Sequence, residues 1–261
     1  MNQLDRALRH PGRKALIAYV TVGYPDLDTM LRLVPLLAEN GCDVIELGIP
    51  FSDPLADGAT IQQASHIALQ NGMTPDGCFE VAARLSRVVD TPLVFMSYYN
   101  PVLRKGIDCF CSIAARSGVS GLIVPDLPVD EGEILEQCSR KHDLDLIYLV
   151  APTTTKLRIR QVAERSRGFL YLVSLTGVTG SRADLDEGLE HFVARVRAET
   201  TLPLCVGFGI SLPSQASRVA RIADGVIVGS RLLQLVGCDR SLVSATAFVR
   251  ELRSALDSVT V

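Results

Sequence analysis

The sequence predicts a closed (β/α)8 barrel, and three observations predict it. Short apolar runs recur about every 20–30 residues, segments of helical periodicity separate them, and no Pro/Ser-rich linker, low-complexity tract or composition shift divides the chain. The runs cover 15–22, 43–49, 93–98, 121–124, 145–150, 169–174, 202–206 and 225–228. Each is apolar nearly throughout, as strands buried on both faces must be.

Between the runs, apolar residues fall three or four apart. Leu27, Met30, Leu31 and Val34 mark the first amphipathic helix, Leu189, Phe192, Val193 and Val196 a later one, and Leu242, Ala245, Phe248, Val249 and Leu252 the last. Pro35 falls inside the first helix and is expected to kink it; Asn40-Gly41 reads as its stop. The stretch 53–91 is long for one connection and is expected to hold two helices, at about 61–71 and 76–88. Eight such units in 261 residues fit one barrel domain spanning 1–261. An open doubly wound sheet is the alternative. Its dinucleotide fingerprint is broken here, because Gly207-Phe-Gly-Ile-Ser-Leu-Pro213 carries Leu212 where a third glycine belongs.

Hydrophobic residues make up 48% of the chain and aromatic ones only 5%, so core volume must come from Leu, Val, Ile and Ala. The net charge of −3, without a lysine/arginine block, gives nucleic acid no basic face to bind. No apolar run approaches the roughly 20 residues of a membrane span, and the N-terminal stretch lacks the apolar segment of a signal peptide; a cytoplasmic protein is expected. The seven cysteines (42, 78, 109, 111, 138, 205 and 238) include no CxxC pair and read as small buried hydrophobes in a reducing compartment. The four histidines (10, 66, 142 and 191) sit in helical or terminal stretches rather than at strand ends, so no metal site is expected.

A barrel of this kind carries its active site where its strands end and the following loops begin. The densest such place is Glu46-Leu-Gly-Ile-Pro-Phe-Ser-Asp-Pro-Leu-Ala-Asp-Gly58. Strand alternation puts Val44, Glu46 and Gly48 on one face. A glutamate inside such a strand either pairs with a Lys or Arg, or is kept for proton transfer with a raised pKa. Asp53 and Asp57 follow it, each also readable as a turn residue or a helix cap. The loops Gly207–Ser211 and Val228–Arg231 are glycine-bearing and lead into helices, a suitable place for phosphate, or are turn glycines only. Thr176-Gly-Val-Thr-Gly180 has the composition of a lid, or of a plain flexible connection.

Together these residues resemble the tryptophan synthase alpha subunit family. The matching pieces are AYVTVGYPD (18–26), ELGIPFSDPLADG (46–58), YYNPVLRKG (98–106), GLIVPDLPVDE (121–131), LVAPTTT (149–155), YLVSLTGVTG (171–180), VGFGIS (206–211) and GVIVGSR (225–231). Ala59 departs from a common family Pro, and Tyr19 from the Phe of some members. The resemblance implies a TIM barrel with a short N-terminal helix and extra helices in the βα loops. It implies a lyase of tryptophan biosynthesis that splits indole-3-glycerol phosphate by retro-aldol cleavage into indole and glyceraldehyde 3-phosphate. Glu46 is then the acid and base, and Asp57 the partner of the ring nitrogen. Gly180, Gly209, Gly229 and Ser230 are expected at the phosphate. Tyr19, Tyr98, Ile123, Tyr171 and Phe208 are expected around the indole, with Tyr171 near Asp57, and Thr179 on the lid. The resemblance implies no metal and no cofactor in this chain. It also implies a beta subunit carrying pyridoxal phosphate, docked near 52–58, Asn100 and Pro128 in an alpha2-beta2 heterotetramer. Two other readings are another phosphate-binding barrel enzyme, such as a sugar-phosphate isomerase, and a non-catalytic activating subunit.

Overall fold

A computed structural model describes residues 3–10, 12–173, 182–207 and 209–259. The side chains of 182–187 are not described, and the lid stretch 176–180 lies outside the described residues. The strands are β1 Ala15–Thr21, β2 Val44–Gly48, β3 Leu93–Met96, β4 Val119–Ile123, β5 Asp145–Ile147, β6 Leu149–Val150, β7 Leu170–Val173, β8 Leu204–Gly207 and β9 Gly225–Val228. They pair in parallel in the order β5-β4-β3-β2-β1-β9-β8-β7-β6.

One expectation is corrected here: the run 145–150 forms two strands where one is predicted. Tyr148 is the break. Its N–H turns away to the Ser166 hydroxyl at 3.1 Å, while its carbonyl accepts from Tyr171 N–H at 3.1 Å. β5 therefore pairs with β4, and β6 with β7. The two ends of the sheet are halves of one stretch of chain, so the ring closes and eight runs make nine strands among the described residues.

Alternation along the strands sorts the core into two layers. Leu16, Ala18, Val20, Ile45 and Leu47 face outward and pack under the helices. Ile17, Val44, Val94, Ile123, Ile147, Phe169, Cys205 and Ile227 fill the interior, so the barrel is packed, not hollow. Helix α1 (Gln3–Leu8) lends Leu4 and Leu8 to the same cluster.

The other helices among the described residues are α2 Leu27–Glu39, α3 Ala59–Gln70, α4 Pro75–Leu85, α5 Tyr99–Lys105, α6 Ile107–Arg116, α7 Glu133–Lys141, α8 Lys156–Arg165, α9 Arg182–Arg197, α10 Pro213–Ala220, α11 Ser230–Cys238 and α12 Val243–Asp257. α2 starts at Asp26, whose carboxylate accepts from Thr29 N–H at 2.7 Å. It continues through Pro35 to Glu39, because burial of Met30, Leu33, Val34 and Leu37 outweighs one missing backbone bond. α3 and α4 are the two helices expected in 53–91; the second stops at Leu85 rather than 88. Cys109 and Cys238 are exposed and Cys138 is half-buried, against the expectation that all seven cysteines serve as core. No helix among the described residues is long and apolar enough to cross a membrane.

Candidate active site

Parallel register sets the depth of the site. Tyr19 on β1 pairs with Glu46 on β2, which pairs in turn with Val94 on β3. Glu46 faces inward with Val44 and is 0% exposed. Among the described residues, neither of its carboxylate oxygens has a hydrogen-bond partner. The paired-glutamate reading therefore fails. Burial, with the Asp57 charge adding to it, pushes the Glu46 pKa up to about 8. At neutral pH the group holds its proton in an apolar interior.

Asp57 is brought to the same space by the loop that follows β2. Its N–H closes a turn onto Pro54 O at 3.1 Å. It is not the cap of α3. Gly58 takes that position without a side-chain bond, and Gln62 Nε2 donates to the Asp57 carbonyl at 2.8 Å. The Asp57 side chain is left for the cavity, where burial raises its pKa to about 6. Tyr98 limits that rise. Its hydroxyl accepts from Ala56 N–H at 2.9 Å and donates toward the Asp57 carboxylate. The Tyr98 ring stacks on Phe51, with centroids 5.2 Å apart, so both ends of the loop rest on one side chain. Asp53 is exposed and accepts from the Ser52 hydroxyl at 2.5 Å, as an ordinary turn residue does.

The mouth of the barrel holds a cavity of about 390 Å3. Tyr19, Asp57 and Tyr171 line it, together with Gly209, Gly229 and Ser230. Glu46 lies below its walls, facing Tyr19 and Tyr171. Ile123 is placed in the interior layer beneath, and Tyr98 stands behind the Asp57 loop; neither lines the cavity. Phe208, Thr179 and Gly180 lie outside the described residues. Sequence reasoning missed Ile61, Met96 and Leu149, which also line the cavity, while Ser211 and Arg231 line it from the two glycine-bearing loops expected at the phosphate. Met96 and Leu149 had a legible signal, since Met96 ends β3 and Leu149 opens β6, each with inward parity. Arg231 is exposed beside Ser230, where its cation suits an anionic ligand.

Two glycines make room for the two tyrosines. A Cβ at Gly48 would lie 2.2 Å from the Tyr19 hydroxyl, and one at Gly207 would lie 2.8 Å from that of Tyr171. Only hydrogen at those positions lets the rings lean over the neighbouring strands. Across the cavity, Gly229 caps α11 and Ser230 begins it, so the first N–H groups of that helix lack acceptors of their own. Gly209, at φ +60°, shapes the preceding turn. That turn is held by Gln215, whose Oε1 accepts from Ser211 N–H at 2.9 Å, Ser211 Oγ at 3.2 Å and Leu212 N–H at 3.1 Å. The arrangement offers a flat apolar slot with a protonated acid below it, an ionisable carboxylate at one side and an anion corner opposite.

The family model described as "Tryptophan synthase alpha chain" matches residues 6–257. The tryptophan synthase alpha chain of Dehalococcoides mccartyi is 58% identical over 245 residues, covering 94% of this chain and 96% of that one. That of Chloroflexus aggregans is 50% identical, covering 97% and 96%. Among solved structures, the tryptophan synthase subunit alpha of Legionella pneumophila superposes with a TM-score of 0.90 at 34% identity, over 99% of this chain and 100% of that one. A chain of tryptophan synthase from M. tuberculosis, in its open form, superposes with a TM-score of 0.88 at 37% identity, over 97% of each.

Proposed function

The chain belongs to the tryptophan synthase alpha chain family, and we propose that Glu46 and Asp57 perform that family's lyase reaction in it. The reaction splits indole-3-glycerol phosphate into indole and glyceraldehyde 3-phosphate, within tryptophan biosynthesis. One observation supports this reading most: a fully buried carboxyl without a hydrogen-bond partner among the described residues, beneath a cavity that a second carboxylate lines.

The chemistry follows from those environments. Glu46 is protonated at neutral pH and transfers its proton to ring carbon C3. The ring nitrogen becomes an iminium, and the Asp57 carboxylate, ionised above about pH 6, stabilises its positive charge. The Glu46 carboxylate so formed takes the proton of the side-chain hydroxyl. The bond from C3 to that carbon then breaks, its electron pair returns to the ring and neutralises the iminium, and the hydroxyl carbon leaves as an aldehyde. Glu46 ends the cycle with a proton again. Two carboxyls held at different pKa values can divide acid and base work in this way.

We assign the phosphate to Gly209, Gly229 and Ser230 beside the start of α11, together with Gly180, which the resemblance implies. We assign the indole to the space between Tyr19 and Tyr171, with Ile123 in the layer beneath and Tyr98 behind the Asp57 loop; Phe208 and Thr179 keep the pocket and lid roles that the resemblance implies. We further place the protein in the cytoplasm as a single barrel domain, with a beta subunit as partner in an alpha2-beta2 assembly. Pyridoxal phosphate belongs to that partner. Leu55, 94% exposed in the loop that carries Asp57, would link docking to catalysis.

An indole-release assay tests the assignment. Glu46→Gln is expected to abolish release and Asp57→Asn to lower it by about 10²–10⁴-fold. Full activity in both variants would remove the mechanism.

A further inference from the structure

We propose that Tyr19 is a positioning residue of the cleavage: its hydroxyl donates a hydrogen bond to one oxygen of the Glu46 carboxylate whenever Glu46 is ionised, leaving the other oxygen for the substrate hydroxyl. The proposal rests on the assignment of Glu46 as the acid and base.

Placement is the first ground. Tyr19 and Glu46 are register partners on adjacent strands, and both face inward. The Tyr19 ring leans over β2, so that its hydroxyl occupies the space a Cβ at Gly48 would take, 2.2 Å away. Gly48 follows Glu46 by two residues on the same face of the same strand. The hydroxyl is therefore held directly over the strand that carries the carboxylate.

The hydrogen-bond inventory is the second ground. Thr21 Oγ1 donates to the Tyr19 hydroxyl at 3.4 Å, which occupies its oxygen and leaves its own proton unassigned. Among the described residues, neither Glu46 oxygen has a donor. With Glu46 protonated that vacancy is tolerable. In the second half of the reaction the group is an anion at 0% exposure, and a buried unpaired anion is costly. Tyr19 supplies the donor that this state lacks. Toward Glu46 it donates a hydrogen bond and does not act as an acid, because burial and the neighbouring carboxylates raise its phenol pKa well above the ordinary range. The other titratable groups facing Glu46 are Asp57 and Tyr171, while Tyr98 faces Tyr19 and Asp57.

The test compares Tyr19→Phe, which keeps the ring, with the wild-type chain across pH. Glu46 without its donor is a weaker acid, so the alkaline limb of kcat/KM is expected to move up by about one pH unit. We expect kcat to fall roughly ten-fold and KM to change less than about two-fold, as loss of a hydrogen bond to a charged group implies. An infrared titration of the Glu46 carboxyl should show the same shift without relying on turnover. Thr21→Val removes the bond that polarises the phenol and should move the limb the same way by less, with no added effect on top of Tyr19→Phe. An unmoved limb in Tyr19→Phe overturns the proposal, as does a change confined to KM. Should that variant not fold, an unmoved limb in Thr21→Val does the same. Glu46→Gln separates the two levels. If it is inactive while Tyr19→Phe behaves as wild type, only this inference fails; if it is active, the assignment of Glu46 fails first.

Discussion

The Asp57 carboxylate, eleven residues after Glu46, stands close enough to add to burial in holding the Glu46 proton in place. The loop between them thus fixes two protonation states together, a neutral acid below the cavity and an anion at its wall.

Activity should follow a bell in pH. Asp57 must be ionised, so kcat/KM is expected to rise through about pH 6; Glu46 must be protonated, so it falls through about pH 8. Indole release measured from pH 5 to 9.5 checks this. A profile that keeps climbing past pH 9 would mean that Glu46 does not begin the reaction as an acid.

Glu46 also makes stability pH-dependent. Its folded pKa is raised above the unfolded value, so the folded state retains a proton that the unfolded chain releases. The cost is absent below about pH 4.5 and grows until about pH 8, at roughly 1.4 kcal/mol per pH unit. Glu46→Gln should therefore gain stability over wild type by several kcal/mol as denaturant melts move from pH 5 to pH 8. Parallel stability curves for the two proteins would contradict the burial argument.

Tyr98→Phe removes the hydroxyl that accepts from Ala56 N–H and donates toward Asp57. The Asp57 pKa should climb further above about 6, moving the acid limb of the profile to higher pH while the alkaline limb moves little. Activity at pH 6 should drop several-fold more than activity at pH 7.5. An equal loss at both would point to loop disorder instead.

Ser230→Ala leaves the α11 backbone in place and deletes one hydroxyl from the anion corner. The KM for indole-3-glycerol phosphate should rise roughly ten-fold with little change in kcat, and inorganic phosphate should inhibit less. An unchanged phosphate inhibition constant would move the anion site elsewhere.

Gly132→Ala tests packing at the strand break. A Cβ there would stand 1.7 Å from the Tyr148 hydroxyl, which donates to buried Glu136 at 2.7 Å. We expect a loss of about 1–3 kcal/mol in chemical denaturation. A neutral change would show that Tyr148 can leave Glu136 freely.

The sequence by itself determined the eight apolar runs, the helices between them, the inward parity of Glu46 and the glycine-bearing turns after the last two strands. These are local properties, written in periods of two and of three to four residues, and they need no knowledge of distant neighbours. Tertiary structure alone decided that Tyr148 splits the fifth run, that Glu46 has no hydrogen-bond partner among the described residues, that Gly58 rather than Asp57 caps α3, and that Gly48 yields its space to the Tyr19 ring. Each of those depends on which strand lies beside which and in what register. That is settled only when the barrel closes and residues far apart in the chain must share one interior.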